Sequence, residues 1–577
     1  MWKIIYAYPF GRFNVKKTII FLFTIIFIFV FTCGCTNSSD NSQTFVSSYT
    51  SEQTGKTASD TISLLYSSKD SLDPYVCVTE QNADLSQLIF EPLLILNNQY
   101  EIEYRLAKKV VVDEKTCTIT LRSARFSDGS IVTANDVVFS FNKAKKSSTT
   151  RHSAALKYAS SAVATDITTV TISLSRNDPY FANLLTFPIM KKGTDELKDT
   201  DNQALVPIGA GRYVFNNQTA TLTQNEYYYG SKSVIKNIKT VDCPDNESVQ
   251  QTINAGMVDH YFSDLSGNTI PKMNGNSVNI SQNRIVFLGI NSKNPQLSNS
   301  LFRQAISSAL NRQEICNSAF FGNASPALGP VPTLWKPAEG LLAIESNSNF
   351  EIAKNNIELT GFTKKDADGF YLLNNNSPIT FSLLVNADNL SRMATANLIA
   401  ESLQNIGIKI KINAVTDKQY YSSLRSGFYD LYIGEIRFED NMDIDGLISL
   451  NSASDFLPKE KDSSNIETSS SKKEETSSAI SSKPAASSEN SVSGDDVNLS
   501  SVEEILAPGE ITLTSADAYS GFYNGEYTLQ DLITAFNAEL PVIPICFKNG
   551  MVIYSDRFGN GITPSRTELF HGIQYLK

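Results

Sequence analysis

Apolar and polar residues alternate in several short stretches of the chain, which is the pattern of a strand with one buried face. In the first half the alternation covers residues 62–66, 117–121 and 168–175. In the second half it covers residues 379–383 and 408–412. We expect a strand in each stretch, and a final strand in the apolar segment 541–547.

Apolar residues three and four positions apart predict helices between these strands. One helix should run from about Asp84 and stop by Phe90, because Pro92 disfavours helical geometry at the residue before it. Another should be capped by Ser300. A stripe from 398 to 406 lies between the two strands of the second half. Strand, helix and strand in this order favour a parallel βαβ unit.

The segment from Thr116 to Phe141 combines a strand, a turn and a helix. Asp128 and Gly129 predict a tight turn, since glycine tolerates a positive φ. Thr133 begins a capping box, in which the Asp136 carboxylate reaches back to the Thr133 N–H. Many folds contain such a unit, so by itself it does not indicate a function.

Length and charge limit the possible classes of protein. A chain of 577 residues is too long for one core, so two or three core-bearing units are expected. Its 41% hydrophobic and 19% charged residues are typical of a soluble protein. The formal charge of −11 argues against nucleic acid and against anionic lipid as partners of the folded surface.

The amino terminus has the pattern of a secretion signal. A basic segment precedes an apolar run from Thr18 to Phe31, and small residues precede Cys35. This resembles a bacterial lipobox, which implies a signal peptide over 1–34 and a lipid on Cys35. An uncleaved anchor with an incidental cysteine is the alternative. The polar segment 35–60 should be a disordered tether, and the Ser-rich segment 459–501 a disordered insertion.

Catalytic motifs are absent from the sequence. There is no HExxH, GxSxG or complete P-loop, and the three histidines are scattered, so we expect neither a metal nor a cofactor. A hydrolase with paired carboxylates stays possible, although nothing singles out a pair. Seven cysteines without CxxC spacing exclude a disulfide scaffold. One disulfide among Cys77, Cys243 and Cys316 stays open.

The segment from Leu121 to Ser140 resembles a family signature. It reads Leu-Arg, then Phe126, Asp128-Gly129, Thr133-Ala134 and Asp136-Val-Val-Phe-Ser. This is similar to family 5 of the extracellular solute-binding proteins, the receptors of oligopeptide and dipeptide ABC importers. The resemblance covers about 61–450 and again 525–577.

The resemblance implies an α/β fold of the periplasmic-binding-protein type, with two lobes, a hinge and a discontinuous first lobe, as in the class II-type oligopeptide-binding fold. The first lobe would span 61–285, with a subdomain at about 76–200. The second would span 286–545 and contain the 459–501 insertion. Residues 546–577 would return to the first lobe, and we place the first hinge at 284–291.

The resemblance also implies a ligand-binding loop from Gly434 to Ile444. Aligned on Asp443, the acid that pairs with the ligand's α-ammonium in this family falls at Asp440. A solvated acidic loop is the alternative, because five acids crowd this stretch. Two residues depart from the family pattern: Glu435 replaces tryptophan and Ile444 replaces proline. Three aromatic residues could stack on the ligand or belong to a core: Tyr75, Trp335 and Phe438.

We therefore expect a non-enzymatic, monomeric lipoprotein on the outer face of the cell membrane. It would bind a small peptide or similar solute between its lobes and deliver it to the permease subunits of an ABC transporter. A peptide or pheromone receptor on the same scaffold is an alternative, and a lipid-anchored hydrolase is another.

Overall fold

The computed structural model describes residues 57–150, 152–265, 272–449 and 513–577. The predicted signal peptide, Cys35 and the Ser-rich segment 459–501 lie outside the described residues. So does all of the predicted tether except residues 57–60. Within the described ranges, no helix is both long enough and apolar enough to cross a membrane.

The part of the chain before residue 265 contains mostly short strands and four helices among the described residues. Its strands are β1 (Thr61–Tyr66), β2 (Glu91–Pro92), β3 (Leu94–Leu96), β4 (Ile102–Tyr104), β5 (Ala107–Asp113), β6 (Thr116–Leu121), β7 (Ala159–Ala164), β8 (Thr169–Leu174), β9 (Pro188–Ile189), β10 (Tyr213–Asn216), β11 (Thr221–Gln224), β12 (Asn237–Asp242) and β13 (His260–Ser263). Its helices are α1 (Glu80–Ile89), α2 (Ala134–Lys146), α3 (His152–Ala155) and α4 (Asn246–Asn254). Strands pair in the orders β1-β12-β11-β10 and β5-β6-β8-β7, and β1 is parallel to β12.

The rest of the described chain builds a larger mixed sheet with helices around it. Its strands are β14 (Asn276–Ile290), β15 (Ala324–Pro326), β16 (Thr380–Asn386), β17 (Lys409–Val415), β18 (Leu431–Arg437) and β19 (Ile543–Tyr554). Its helices are α5 (Ser300–Ala309), α6 (Arg312–Ala319), α7 (Phe350–Leu359), α8 (Leu390–Asn405), α9 (Asp417–Ser426), α10 (Asp445–Ile448), α11 (Ser515–Asn524) and α12 (Leu529–Glu539). The strand order is β13-β19-β14-β18-β16-β17, and β15 also pairs with β19.

Separate hydrophobic cores define two lobes. The core of the first lobe draws on residues 62–238 and on the C-terminal segment 552–576. The second lobe has a core on each face of its sheet, so its strands are buried on both sides. On β14, Val286 and Leu288 face one of these cores, and Ile285 and Phe287 face the other.

The strands β14 and β19 pass from one lobe to the other. Ile280 of β14 lies in the first core, whereas Ile285 lies in a second-lobe core. On β19, Ile543 lies in the second lobe and Val552 in the first. The antiparallel register of the two strands shifts between Ser281 and Arg284. The strands therefore cross between the lobes at the start of the segment where we placed the hinge. Hinge motion in this segment stays a prediction, and so do the lobe boundaries.

The local sequence patterns are largely confirmed. Strands occupy all the alternating stretches, and β16, α8 and β17 form the predicted βαβ unit with parallel strands. The Thr133 capping box is present, with the Thr133 N–H donating to Asp136 at 2.9 Å. Side-chain alternation and capping act over a few residues, which is why sequence alone was sufficient here.

Two helix starts were predicted wrongly. Helix α1 begins at Glu80 instead of Asp84, following Thr79 in extended geometry. Helix α5 is capped by Asn299, whose side chain accepts from the Leu301 N–H at 2.9 Å, and Ser300 is its first residue. Among the described cysteines, Cys77, Cys117, Cys243, Cys316 and Cys546 are all buried and free, so no disulfide links them.

Candidate functional site

Two adjoining cavities lie beside the first turns of α1. One, of about 400 Å³, is bounded by α1 and by residues from the crossing strands, the end of β18 and the C-terminal segment. Those residues include Gln282, Arg284, Arg437 and Arg566. Elements of both lobes therefore line this cavity.

The second cavity, of about 490 Å³, lies between α1, α4 and β13. Both cavities are lined by Glu80 and Asp84, which are one helical turn apart on α1. We refer to Glu80 and Asp84 as the acid pair. Neither carboxylate has a hydrogen bond or ion pair with any side chain in the described part of the chain.

The two acids are not equally accessible, since Asp84 is half-buried and Glu80 is exposed. Burial, with the neighbouring Glu80 charge, raises the pKa of Asp84 well above its usual range. Burial and the charge of Asp264 also raise the pKa of Glu80, although Arg284 opposes them. The ionised pair is therefore unfavourable in the unliganded protein and would be stabilised by a positive charge.

Two residues that line the cavities each have a buried side-chain nitrogen without a hydrogen-bond partner among the described residues. They are Gln282 in the first cavity and His260 in the second, and the atom is Nε2 in both. Neither atom is exposed to its cavity: Nε2 of Gln282 lies against Gly550, and the His260 ring packs on Phe570 with 4.3 Å between ring centroids. Both atoms therefore belong to the packed wall behind the cavities.

The basic residues on the opposite wall already have partners. Arg284 lies 3.2 Å from Glu435 and 3.8 Å from Asp264. Arg566 pairs with Asp440, and Arg437 is not free either. Within the described ranges the basic wall is therefore largely paired, whereas neither acid of the pair has an ion pair.

Asp440 lies in the second lobe beside the crossing strands and is 3% exposed. Besides Arg566, its carboxylate accepts a hydrogen bond from Asn283 Nδ2 at 2.9 Å. A ligand ammonium could reach this carboxylate only by displacing or sharing Arg566. The ligand contact of Asp440 stays a prediction.

Asp443 belongs to a contact between the lobes that we call the bridging cluster, made of Lys157, Arg176, Asp443, Tyr519 and Tyr523. The Asp443 carboxylate lies 2.9 Å from Arg176 and 3.2 Å from Lys157, and accepts from the Tyr519 hydroxyl at 2.8 Å. Burial raises the pKa of Asp443, but Arg176 and Lys157 outweigh burial and hold it below its usual value. This acid is thus fully matched within the protein.

Arg176 is held in the bridging cluster by aromatic rings as well as by charge. Its guanidinium carbon lies 3.6 Å from the ring centroid of Tyr158 and 3.5 Å from that of Tyr523. Cation–π contacts of this kind favour arginine in a desolvated place. Asp443 and Arg176 come from different lobes, so the cluster joins them.

The departure from the family pattern at Glu435 has a structural reason. Its buried carboxylate lies 3.2 Å from Arg284, 3.3 Å from Arg392 and 3.4 Å from Lys548. Asp440 and Asp443 are buried, the Glu435 side chain is only 9% exposed, and all three acids are ion-paired, so they do not form a solvated loop.

The three predicted aromatic residues are buried in separate places. Tyr75 packs in the first core and its hydroxyl donates to the Pro188 carbonyl. The Trp335 ring packs edge to face against Tyr180, with 4.7 Å between the ring centroids, and the Phe438 and Phe547 ring centroids are 6.3 Å apart. Trp335 and Phe438 belong to the same second-lobe core. None of the three lines the two cavities, and stacking on a ligand stays a prediction for each.

Sequence reasoning missed the acid pair, Gln282 and Arg566. The pair carries a weak signal, two acids at i and i+4, but the helix was expected to start only at Asp84. Gln282 and Arg566 are brought to the cavity by the crossing strands and the C-terminal segment, and no local pattern indicates this.

Comparison with known proteins identifies relatives. Residues 101–456 match the model of the bacterial extracellular solute-binding proteins, family 5 (middle region). The chain is 22% identical over 423 residues to the oligopeptide-binding protein AppA of Bacillus subtilis, covering 69% of this chain and 77% of AppA. It is 23% identical over 401 residues to the periplasmic oligopeptide-binding protein OppA of Salmonella typhimurium, covering 63% and 71%.

The fold is also found among solved structures. NikA from Brucella suis, solved in complex with Fe(III)-EDTA, superposes with a TM-score of 0.57 at 16% identity. The match covers 90% of this chain and 99% of NikA. At this identity the likeness shows the fold, and it agrees with the two-lobe α/β architecture expected from the sequence.

Proposed function

Since the chain belongs to family 5 of the bacterial extracellular solute-binding proteins, we propose that it is the substrate-binding lipoprotein of an ABC importer, which captures peptides between its lobes and delivers them to the permease. The observation that carries the proposal is a cavity that both lobes line, beside the first turns of α1. Closure of two lobes over such a cavity would bury a small solute.

The peptide ligand is supported by the relatives AppA and OppA, whose names state oligopeptide binding. Cavities of about 400 and 490 Å³ are in the range of small-molecule sites, so a short peptide would fit better than a long one. Backbone groups of an extended peptide would supply affinity with loose side-chain specificity.

Native mass spectrometry of the purified protein tests the proposal. We expect a population of bound peptides that are recovered intact after denaturation, because the proposed role is capture and delivery without a reaction. Added tripeptides should also raise the midpoint of thermal unfolding. Cleaved products, or a tripeptide library that leaves the midpoint unchanged, would contradict the proposal.

The α-ammonium of the peptide is assigned to Asp440, as the family resemblance implies. If the ammonium replaces Arg566 at this carboxylate, Asp440→Ala should weaken peptide binding by about 2–5 kcal/mol. Calorimetry with tripeptides and with their N-acetylated forms measures this loss. Equal affinity of the variant and the native protein would remove Asp440 from the site.

Lipid attachment at Cys35 would keep the receptor at the membrane. Two or three acyl chains bind stably to a bilayer, whereas a single chain does not. We expect Cys35→Ser to release the protein into the medium and the native protein to label with fatty acid. Membrane retention of the variant would favour an uncleaved anchor instead.

A further inference from the structure

The segment 175–184 belongs to the first lobe but packs against the second lobe. Within it, the Asp178 carboxylate accepts a hydrogen bond from Asn441 Nδ2 of the second lobe at 2.7 Å. Two residues further on, Tyr180 packs on a second-lobe core, with 4.7 Å between its ring centroid and that of Trp335. The lobes therefore have to break the Asp178–Asn441 pair if they separate along this face.

The Asp178–Asn441 pair is buried, but one of its polar atoms has no partner. Asp178 is 1% exposed and Asn441 is 3% exposed. The carboxylate accepts from Asn441 Nδ2 and, at 3.1 Å, from the Tyr180 N–H. Oδ1 of the same Asn441 amide has no hydrogen-bond partner among the described residues. An ionised carboxylate only accepts hydrogen bonds, so it cannot satisfy this oxygen.

Charged and titratable side chains act on Asp178 from both lobes. They are Arg176 and Tyr180 on its own segment and Asp443 and Tyr523 on the second lobe. Burial outweighs the hydrogen bond from Asn441 and the favourable Arg176 charge, and it raises the pKa of the Asp178 carboxyl group to about 6. Burial also raises the pKa of each of the two tyrosines, so both stay neutral where Asp178 titrates.

We propose that the Asp178–Asn441 pair is an acid-sensitive latch, which holds the two lobes together more firmly when the Asp178 carboxyl group is protonated. The protonated group can donate to Asn441 Oδ1 while it still accepts from Nδ2, so both polar atoms of the amide are satisfied and no charge is buried. The latch concerns the lobes themselves, and it does not depend on which solute the protein binds.

The direction of the pH effect follows from comparing joined and separated lobes. Separation would expose Asp178 to water, where the pKa of an aspartate is about 4. The joined form has the higher pKa, so it binds the proton more tightly and is stabilised as the pH falls through about 6. The ratio of joined to separated lobes should therefore rise about tenfold from pH 7.5 to pH 5.

The bridging cluster keeps its charges over the same pH range. Burial raises the pKa of Asp443, but Arg176 and Lys157 outweigh burial and hold it below its usual value. Asp443 would lose its charge only at a pH below that of the titration of Asp178. The cluster therefore joins the lobes at both pH values, and Asp178 supplies the change between them.

Hydrogen exchange of the unliganded full chain tests the latch, because exchange detects even rare separation of the lobes. After correction for the intrinsic pH dependence of exchange, protection of segment 175–184 should rise about tenfold from pH 7.5 to pH 5. Helix α11, which carries Tyr519 and Tyr523 on the other side of the contact, should show the same rise. Flat or falling protection of the native protein would overturn the proposal. A rise in segment 175–184 alone would also overturn it, since the segment would then fray without separation of the lobes.

Asp178→Asn separates a latch from a merely structural carboxylate. Its amide can donate to Asn441 Oδ1 and accept from Nδ2 at any pH, so both elements should have the native protection of pH 5 at pH 7.5 as well. The control Glu401→Gln changes an exposed acid on α8 and should keep the native pH dependence. If Asp178→Asn keeps that dependence, or is less protected than the native protein at both pH values, the proposal fails. If the variant does not fold, the native pH profile in the two elements still decides.

Discussion

The bridging cluster and the acid pair both place carboxylates beside the cleft between the two lobes, but among the described residues only the cluster supplies ion-pair partners. Asp443 has Arg176, Lys157 and the Tyr519 hydroxyl within 3.2 Å. Glu80 and Asp84 lie next to each other on α1, and both line the two cavities. The first arrangement lowers the pKa of its acid, and the second raises it.

This difference separates a carboxylate that joins the two lobes from carboxylates that have no ion pair among the described residues. A buried carboxylate with all its partners in place stabilises one arrangement of the two lobes, and a ligand group can reach it only by displacing or sharing a partner. A carboxylate without partners costs stability until something positive arrives. Removing a charge should therefore have opposite effects in the two regions.

The largest effect is expected in the bridging cluster. Arg176→Met should lower the free energy of unfolding by about 3–5 kcal/mol, because it leaves the buried Asp443 with the Tyr519 hydroxyl and the partly exposed Lys157 but without its buried cation. Urea denaturation of the unliganded protein measures the loss. The control Arg425→Met removes an exposed arginine near the end of α9 and should cost less than about 0.5 kcal/mol. A loss as small as the control's would show that the cluster is not structural.

Asp440 should behave like Asp443, because its partners Arg566 and Asn283 belong to the protein itself. Asp440→Asn is expected to cost about 2–4 kcal/mol of unfolding free energy, since it leaves the buried Arg566 without its carboxylate. The same denaturation assay applies. An unchanged stability would place Asp440 with the acid pair and would strengthen its assignment to the ligand's ammonium.

Asp84→Asn should act in the opposite direction. With one acid removed, the unliganded protein is expected to gain up to about 1 kcal/mol in unfolding free energy, because repulsion with Glu80 disappears. The gain in stability should be absent in the control Glu401→Gln, which changes an exposed acid on α8. A clear destabilisation of Asp84→Asn would mean that its carboxylate has a structural partner.

The gain in Asp84→Asn should also depend on pH. The pKa of Asp84 in the folded protein is raised above its value in the unfolded chain. Stability is therefore lost as the pH rises above about 4, where the unfolded chain ionises before the folded protein does, and the loss is absent at lower pH, where both forms are protonated. The difference in unfolding free energy between variant and native protein should grow from pH 4 to pH 7. A difference in unfolding free energy that shrinks over this range would show that folding does not raise the pKa of Asp84.

How far sequence could predict this molecule depended on the range of each interaction. The Thr133 capping box and the βαβ unit of the second lobe depend on neighbouring residues and were predicted correctly. The acidic loop was also found, but the partner of Asp443 is Arg176, 267 positions away. No local pattern indicates that pairing, so a matched acid and an unmatched acid look alike in sequence.

The surroundings of the acid pair also could not be predicted from local sequence patterns. Two acids one turn apart on a helix are ordinarily a solvated surface, and only the crossing strands bring Gln282 and Arg284 opposite them. The residues that define the cavity come from α1, β14, β18 and the C-terminal segment. These elements meet because of the path of the chain through the two lobes. The family resemblance implied the two lobes, but it did not indicate which residues line the cavity.

A crystal structure of the protein with a bound tripeptide is the most direct test of the central claim. We predict that the tripeptide lies in the cavity that both lobes line, beside the first turns of α1. The Asp443–Arg176 pair should stay intact in the same structure. A peptide bound outside this cavity, or one that displaces Arg176 from Asp443, would contradict the account.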